Sequence, residues 1–98
     1  MTVLTLRSIG SNDFAVMEDG HPVGRIRLAV ERHGEIWMWN CTLPIPGVPS
    51  GTADSFEDAK TTFRQSWMKC KAQIGPERLA QGLETAEAAR KRLKAKGK

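Results

Sequence analysis

The chain contains no tyrosine, only two cysteines and only two histidines among its 98 residues. Cys41 and Cys70 lie far apart, and neither they nor His21 and His33 form the closely spaced pairs typical of zinc sites. Isolated thiols of this kind act as small buried apolar side chains in a reducing compartment. We therefore expect no disulfide and no bound metal.

Long apolar runs are also missing. No stretch approaches the roughly 20 residues that span a bilayer, and residues 1–7 lack the basic start, apolar core and cleavage site of a secretory signal. These absences predict a cytoplasmic protein with no membrane partner.

Catalytic motifs are absent as well. There is no G-x-S-x-G turn, and residues 47–52 lack the Gly-Lys of a phosphate-binding loop. The carboxylates of Asp54, Glu57 and Asp58 surround a helix start, where capping and the helix dipole explain them. We expect no enzyme and no cofactor. The alternative is a small enzyme with a pocket between the loop at residues 44–49 and the first helix.

The positive charge is unevenly distributed. The net charge is +4 and the pI is about 9.4, but residues 1–76 hold eight basic and eight acidic side chains, against seven and three in residues 77–98. From Arg90 onward every charged side chain is basic. The high pI therefore reflects the tail, which weakens the usual inference that the folded surface is basic.

Apolar and polar residues alternate in a way that predicts four strands. The clearest alternation runs through residues 23–31, and Asp19-Gly20 before it is a strong hairpin turn. A strand at residues 35–43 is apolar on both faces, with Trp37 and Trp39 on one side. The other two predicted strands are residues 3–9 and 13–18.

Two helices follow an ordered but irregular segment that reaches Asp54. Ser55 is a capping residue, and Gly75-Pro76 ends the first helix. A second, weaker helix is predicted from Pro76 to about Leu93, with residues 95–98 frayed. The stripe that faces the sheet from the first helix consists of Phe56, Ala59, Phe63, Trp67, Cys70 and Ile74.

The order of these elements predicts an α+β fold. It is an antiparallel meander of three to four strands with one long amphipathic helix packed on one face and a second, C-terminal helix. We divide the chain into a single α+β domain at residues 1–76 and a helix with a basic tail at residues 77–98.

Basic residues give the most specific functional hypothesis. If the tryptophans face the helix, alternation places Met38 and four polar residues on the other face, and sheets of this kind bind nucleic acid. The predicted contacts are Arg7, Arg25, Arg27 and Asn40 on the sheet and Arg90, Lys91 and Arg92 in the tail. The competing hypothesis is an interaction or homodimer module that buries Ile36 and Met38.

A wider pattern covers residues 10–76. It consists of segments 11–16, 23–29 and 35–40 together with Gly51, Ala53, Ser55, Ala59, Lys60, Phe63 and Trp67. In these residues the chain resembles a family of short uncharacterised, hypothetical proteins of rhizobium-type alphaproteobacteria. The resemblance implies a bacterial origin and brings no activity with it. At the level of fold, a sheet with one packed helix is similar to the DNA-binding modules of phage-type integrases and AP2 domains.

Overall fold

The computed structural model describes residues 3–31 and 34–96. A five-stranded antiparallel sheet, in which each strand pairs with the next along the chain, precedes two helices. The predicted α+β class is confirmed. The elements are β1 (Leu4–Gly10), β2 (Asp13–Glu18), β3 (His21–Glu31), β4 (Gly34–Cys41), β5 (Ser50–Ala53), α1 (Phe56–Ile74) and α2 (Pro76–Lys96).

Two tight turns join the first three strands. Asp19 and Gly20 have φ of 51° and 80°, the pair of positive values that a type I′ hairpin turn requires. In the first turn Asn12 has φ of 52°, which asparagine tolerates better than most residues. The hairpin predicted at Asp19-Gly20 is therefore confirmed. The sequence Arg32-His33-Gly34 also predicts a turn, and this turn lies partly outside the described residues.

The sheet has one strand more than the sequence predicts. Residues 44–54 are predicted to be irregular, but β5 pairs with Trp37–Asn40 of β4. The strand escapes prediction because it is only four residues long and its Ser-Gly-Thr-Ala sequence has little β propensity. With β5 in place, β4 pairs with a strand on each side. An interior position of this kind is typical of a strand that is apolar on both faces.

The core lies between the sheet and α1. Ser55 caps this helix, since its hydroxyl accepts a hydrogen bond from the Asp58 N–H at 3.1 Å. Phe63 and Trp67 are fully buried, and Phe63 meets Trp39 edge to face with ring centroids 5.9 Å apart. A Cβ on Gly24 would lie 2.2 Å from the Phe63 ring. Glycine at this position of β3 leaves the space that the phenyl ring occupies.

A buried carboxylate also joins the sheet to α1. Glu18, at the end of β2, is 8% exposed. Its carboxylate accepts a hydrogen bond from Trp67 Nε1 at 2.9 Å and lies 3.0 Å from Lys71 Nζ. The two donors are one turn apart on α1, so a single acid holds the second half of the helix to the end of β2.

The second helix packs on α1 and on the loop at residues 42–49. Gly82 of α2 leaves space for Ile45, whose side chain comes within 2.6 Å of a Cβ built there. Leu79 and Leu83 are only partly buried, which matches the weak apolar stripe. Fraying is predicted for residues 95–98, but α2 continues to Lys96 because alanine, lysine and arginine favour helix. Residues 97–98 lie outside the described residues.

The division of the chain at residue 76 stays a prediction. The first helix ends at Gly75, whose φ is 87° and whose N–H donates to the Lys71 carbonyl, and α2 begins at Pro76. Neither of the two helices, as far as the structure describes them, is long and apolar enough to cross a bilayer.

Candidate functional site

The side of the sheet opposite α1 is called the open face here. It is defined by two rows of residues that lie opposite one another across the strands. The first row is Arg7, Ala15, Arg25, Asn40 and Ser50, and the second is Asp13, Arg27, Met38 and Thr52. The four sheet residues predicted as contacts therefore share one face, and all four are exposed.

The helices leave this face uncovered. Residues that alternate with the two rows, among them Val16, Ile26 and Trp39, are buried under α1. The second helix packs on α1 and on the loop at residues 42–49. Within the described residues, the cations of the open face are consequently accessible to a ligand.

Arg25 is held in place by an acid on the same face. Its Nε donates to Asp13 Oδ1 at 2.9 Å, and its second terminal nitrogen donates to Oδ2 at 2.5 Å. These hydrogen bonds, together with the positive charges of Arg25 and Arg27, hold the pKa of the Asp13 carboxyl below its usual value. The same bonds raise the pKa of Arg25. Both groups are therefore ionised at neutral pH, and the guanidinium has a fixed orientation.

The other two arginines of the face, Arg7 and Arg27, form no ion pair within the described residues. Arg7 and Arg25 lie two strands apart, which corresponds to about 10 Å between backbones, and Arg25 and Arg27 are separated by about 7 Å along β3. Asp13 is the one acid in the two rows. The rows thus have a net charge of +2, spread over a span of about 10 Å.

Among the residues that the structure describes, no aromatic side chain belongs to either row of the open face. Trp37 and Phe14 each pack against Phe56, with ring centroids 4.9 Å apart in both pairs, and Trp39 packs against Phe63. The prediction that the strand tryptophans face the helix is confirmed. A base therefore finds no ring to stack on among these rows.

An apolar area adjoins the second row. Ile36 lies opposite Ala29, and Met38 lies opposite Arg27. All three apolar side chains are half-buried by their neighbours on the sheet. This is the area that the competing hypothesis assigns to self-association.

One of the predicted tail residues comes close to the end of the sheet. Arg90 lines a hollow of about 320 Å³ together with Pro22 and Thr42, and the Thr42 N–H donates to the Val23 carbonyl at 3.0 Å. This end of the β3–β4 ladder is the one nearest to the paired residues Arg25 and Asn40. The neighbouring α2 residues Lys91 and Arg92 are exposed.

The alternative of a small enzyme places a pocket between the loop at residues 44–49 and α1. Two hollows bordered by Pro44 face α2 rather than α1. A larger one, of about 420 Å³, lies between β1 and α1, with Leu4 and Leu6 on its floor and Arg64 at its rim. In the part of the chain that the structure describes, no three His, Cys, Asp or Glu side chains are grouped to hold a metal ion.

Two acids with structural roles, Asp13 and Glu18, are not predicted from the sequence. Asp13 pairs with Arg25, and Glu18 accepts from Trp67 and Lys71. A signal for Asp13 was available, since it is the first residue of β2, the strand that pairs with the Arg25 strand. No signal marked Glu18, because its partners Trp67 and Lys71 are 49 and 53 residues away.

Comparison with family models, with curated proteins and with solved structures gives no match. The resemblance to the rhizobial family stays a prediction.

Proposed function

We propose that the open face is a non-enzymatic nucleic-acid-binding surface that contacts the sugar–phosphate backbone. The observation that carries the proposal is the row containing Arg7, Arg25 and Asn40, with Arg27 in the adjacent row. Arg90, Lys91 and Arg92 of α2 extend the basic surface beyond the end of the sheet.

The chemistry of these side chains suits phosphate. A guanidinium presents donors in a planar fork that matches two phosphate oxygens, and an amide or hydroxyl adds single hydrogen bonds. Asn40 and the exposed Ser50 and Thr52 of β5 supply such neutral groups beside the arginines. Asp13 accepts from two of the five N–H groups of Arg25 and fixes the orientation of the guanidinium. The remaining N–H groups are left to donate to a phosphate.

The absence of aromatic rings favours a duplex as the ligand. Proteins that bind single strands without sequence preference rely on aromatic side chains for stacking, and the open face has none among its described residues. Contacts to the phosphates of a double helix need only cations and hydrogen-bond donors. A cytoplasmic location is part of the proposal, since both cysteines are free thiols.

Fluorescence anisotropy with labelled duplex and single-stranded DNA and RNA, titrated over a range of salt concentrations, tests the proposal. We expect the duplex to bind more tightly at low salt, and Arg25→Ala/Arg27→Ala to reduce the slope of log K against log salt by about two. Asp13→Asn removes the one negative charge of the rows and keeps an amide oxygen that can accept from Arg25, so it should strengthen binding a few-fold.

The matched control is Arg64→Ala, because Arg64 is an exposed arginine on the other side of the molecule. It should leave the affinity for duplex nearly unchanged. Absence of binding at low salt, or equal losses in Arg64→Ala and in Arg25→Ala/Arg27→Ala, would refute a role for the open face.

A further inference from the structure

The two edges of the sheet are protected very differently. The β5 edge is four residues long, follows Pro49 and is packed against α1. The β1 edge is seven residues long and contains no proline, no lysine and no acid; its one charged side chain is Arg7, and its register with β2 shifts between Ser8 and Gly10. Between Leu4 and Ser8 the edge is regular, and there it presents a row of backbone donors and acceptors to a second strand.

Exposed apolar side chains gather at the same edge. Val3, Leu6 and Ile9 are 65%, 39% and 51% exposed. The first helix packs over β3, β4 and β5, and the 420 Å³ hollow separates it from β1. Within the described residues, the helix therefore leaves the outer edge of β1 open.

We propose that two copies of the chain pair through β1, antiparallel, about a two-fold axis at Leu6. This register places Leu6 opposite Leu6 of the second copy, Thr5 opposite Arg7 and Leu4 opposite Ser8. Val3 then comes opposite Ile9 of the second copy. All three exposed apolar side chains of the edge thus acquire an apolar neighbour, and cross-strand pairs of this kind stabilise antiparallel sheets.

Electrostatic repulsion disfavours the adjacent register, in which the two-fold axis passes through Arg7. An axis at Arg7 would place two arginines directly opposite each other, which is destabilising. With the axis at Leu6, each Arg7 faces a threonine, and the two arginines are diagonal neighbours about 7–8 Å apart. Thr5 is uncharged and therefore does not repel the Arg7 side chain that lies opposite it.

The pairing has a consequence for ligand binding, and this consequence rests on the proposed function. An axis perpendicular to the sheet keeps both open faces on the same side of a ten-stranded sheet. The second copy contributes its own Arg7, Arg25 and Arg27 to one continuous basic surface, with the two Arg7 side chains at its centre. A phosphate backbone that crosses the seam neutralises both of them, so duplex binding should favour the dimer.

Sedimentation equilibrium of the full chain without nucleic acid, over a wide concentration range, is the direct test. We expect a monomer–dimer equilibrium that Leu6→Lys weakens about tenfold or more, because it places two like charges at the centre of the interface. Val30→Lys is the matched control, since Val30 is 79% exposed on β3, and it should leave the equilibrium unchanged.

A cysteine variant tests the register without adding charge. Leu6→Cys places two thiols directly opposite each other, with Cβ atoms about 4.5–5.5 Å apart. A small approach of the two strands brings them to the separation of about 3.5–4.5 Å found in a disulfide, so mild oxidation should give a covalent dimer. Val30→Cys should give none. Cys41 and Cys70 are buried and should not compete.

The outcomes separate this inference from the proposed function. A dimer that binds no nucleic acid supports the pairing and removes the proposed function. A monomer at every concentration, or a dimer that Met38→Glu weakens and Leu6→Lys does not, overturns the pairing even if duplex binds.

Discussion

At the scale of single residues, we expect a large effect on stability at Glu18. It is buried, and it contacts two donors that come from a different element. Removing one partner of a buried charged pair is strongly destabilising, because the other charge stays buried without an opposite charge beside it. Exposed pairs such as Lys60–Glu57, whose acid is 78% exposed, contribute little.

We expect Glu18→Ala to lower the free energy of unfolding by about 3 kcal/mol. Glu18→Gln should cost about 1 kcal/mol, since its amide oxygen can still accept from Trp67. Urea denaturation followed by tryptophan fluorescence measures both. Glu57→Gln is the control and should be nearly neutral; equal effects at positions 18 and 57 would contradict the role of the buried contact.

The side on which each strand residue lies was predictable, and the exact partners were not. Alternation alone placed Arg7, Arg25 and Arg27 opposite the tryptophans, and the sheet confirms this. A register shift between Val16 and Met17 decides which residue faces which arginine. Continued from the Glu18–His21 pair without that shift, the ladder would pair Arg25 with Phe14 instead of Ala15. A bulge depends on local packing that residue patterns do not encode.

At the scale of elements, the interface between β4 and α1 contains both thiols. Cys41 lies on β4 and Cys70 on α1, and burial raises the pKa of both above that of an ordinary thiol. The thiolate is the reactive form, so in the native protein these cysteines are chemically quiet. Their reactivity therefore reports on separation of the helix from the sheet.

We expect both thiols to react with a disulfide reagent much more slowly in the native than in the denatured protein. The raised pKa values also imply a loss of stability at alkaline pH. The contribution of the two protonated thiols to stability is complete below the unfolded thiol pKa, about 8.5, and is lost as the pH rises from there through the higher folded pKa values. Cys70→Ala should reduce this decrease. Equally fast native and denatured reactions would show that the helix does not shield the thiols.

The prediction of elements succeeded where the sequence contained strong local signals. The cap at Ser55, the stop at Gly75-Pro76 and the turn at Asp19-Gly20 each act within a few residues, and each is present in the structure. β5 has no such signal, because it is a strand only through its ladder with β4. Packing between elements decides cases of this kind.

At the scale of the whole molecule, the positive net charge should make duplex binding and dimerisation respond to salt in opposite directions. Duplex binding releases counterions, so salt weakens it. Pairing of two chains that each carry a net charge of +4, with two Arg7 side chains close together, is opposed by repulsion that salt screens.

We therefore expect dimerisation to strengthen about two- to fivefold between low and moderate salt, while duplex affinity falls over the same range. Sedimentation and anisotropy on one set of samples measure both. Arg7→Gln should reduce the salt response of dimerisation; an unchanged response would place the repulsion elsewhere on the molecule.

The strand order also has a consequence for the time course of synthesis. Every ladder joins strands that are consecutive in the chain, so we expect the sheet to pair hairpin by hairpin as the chain emerges from the ribosome. The apolar face of the sheet, however, stays exposed until α1 has been synthesised after β5. Glu18 can contact Trp67 only after 49 more residues have been added. During that interval the nascent sheet presents an apolar face and an unpaired β1 edge together, and it is then most exposed to aggregation and most dependent on chaperones.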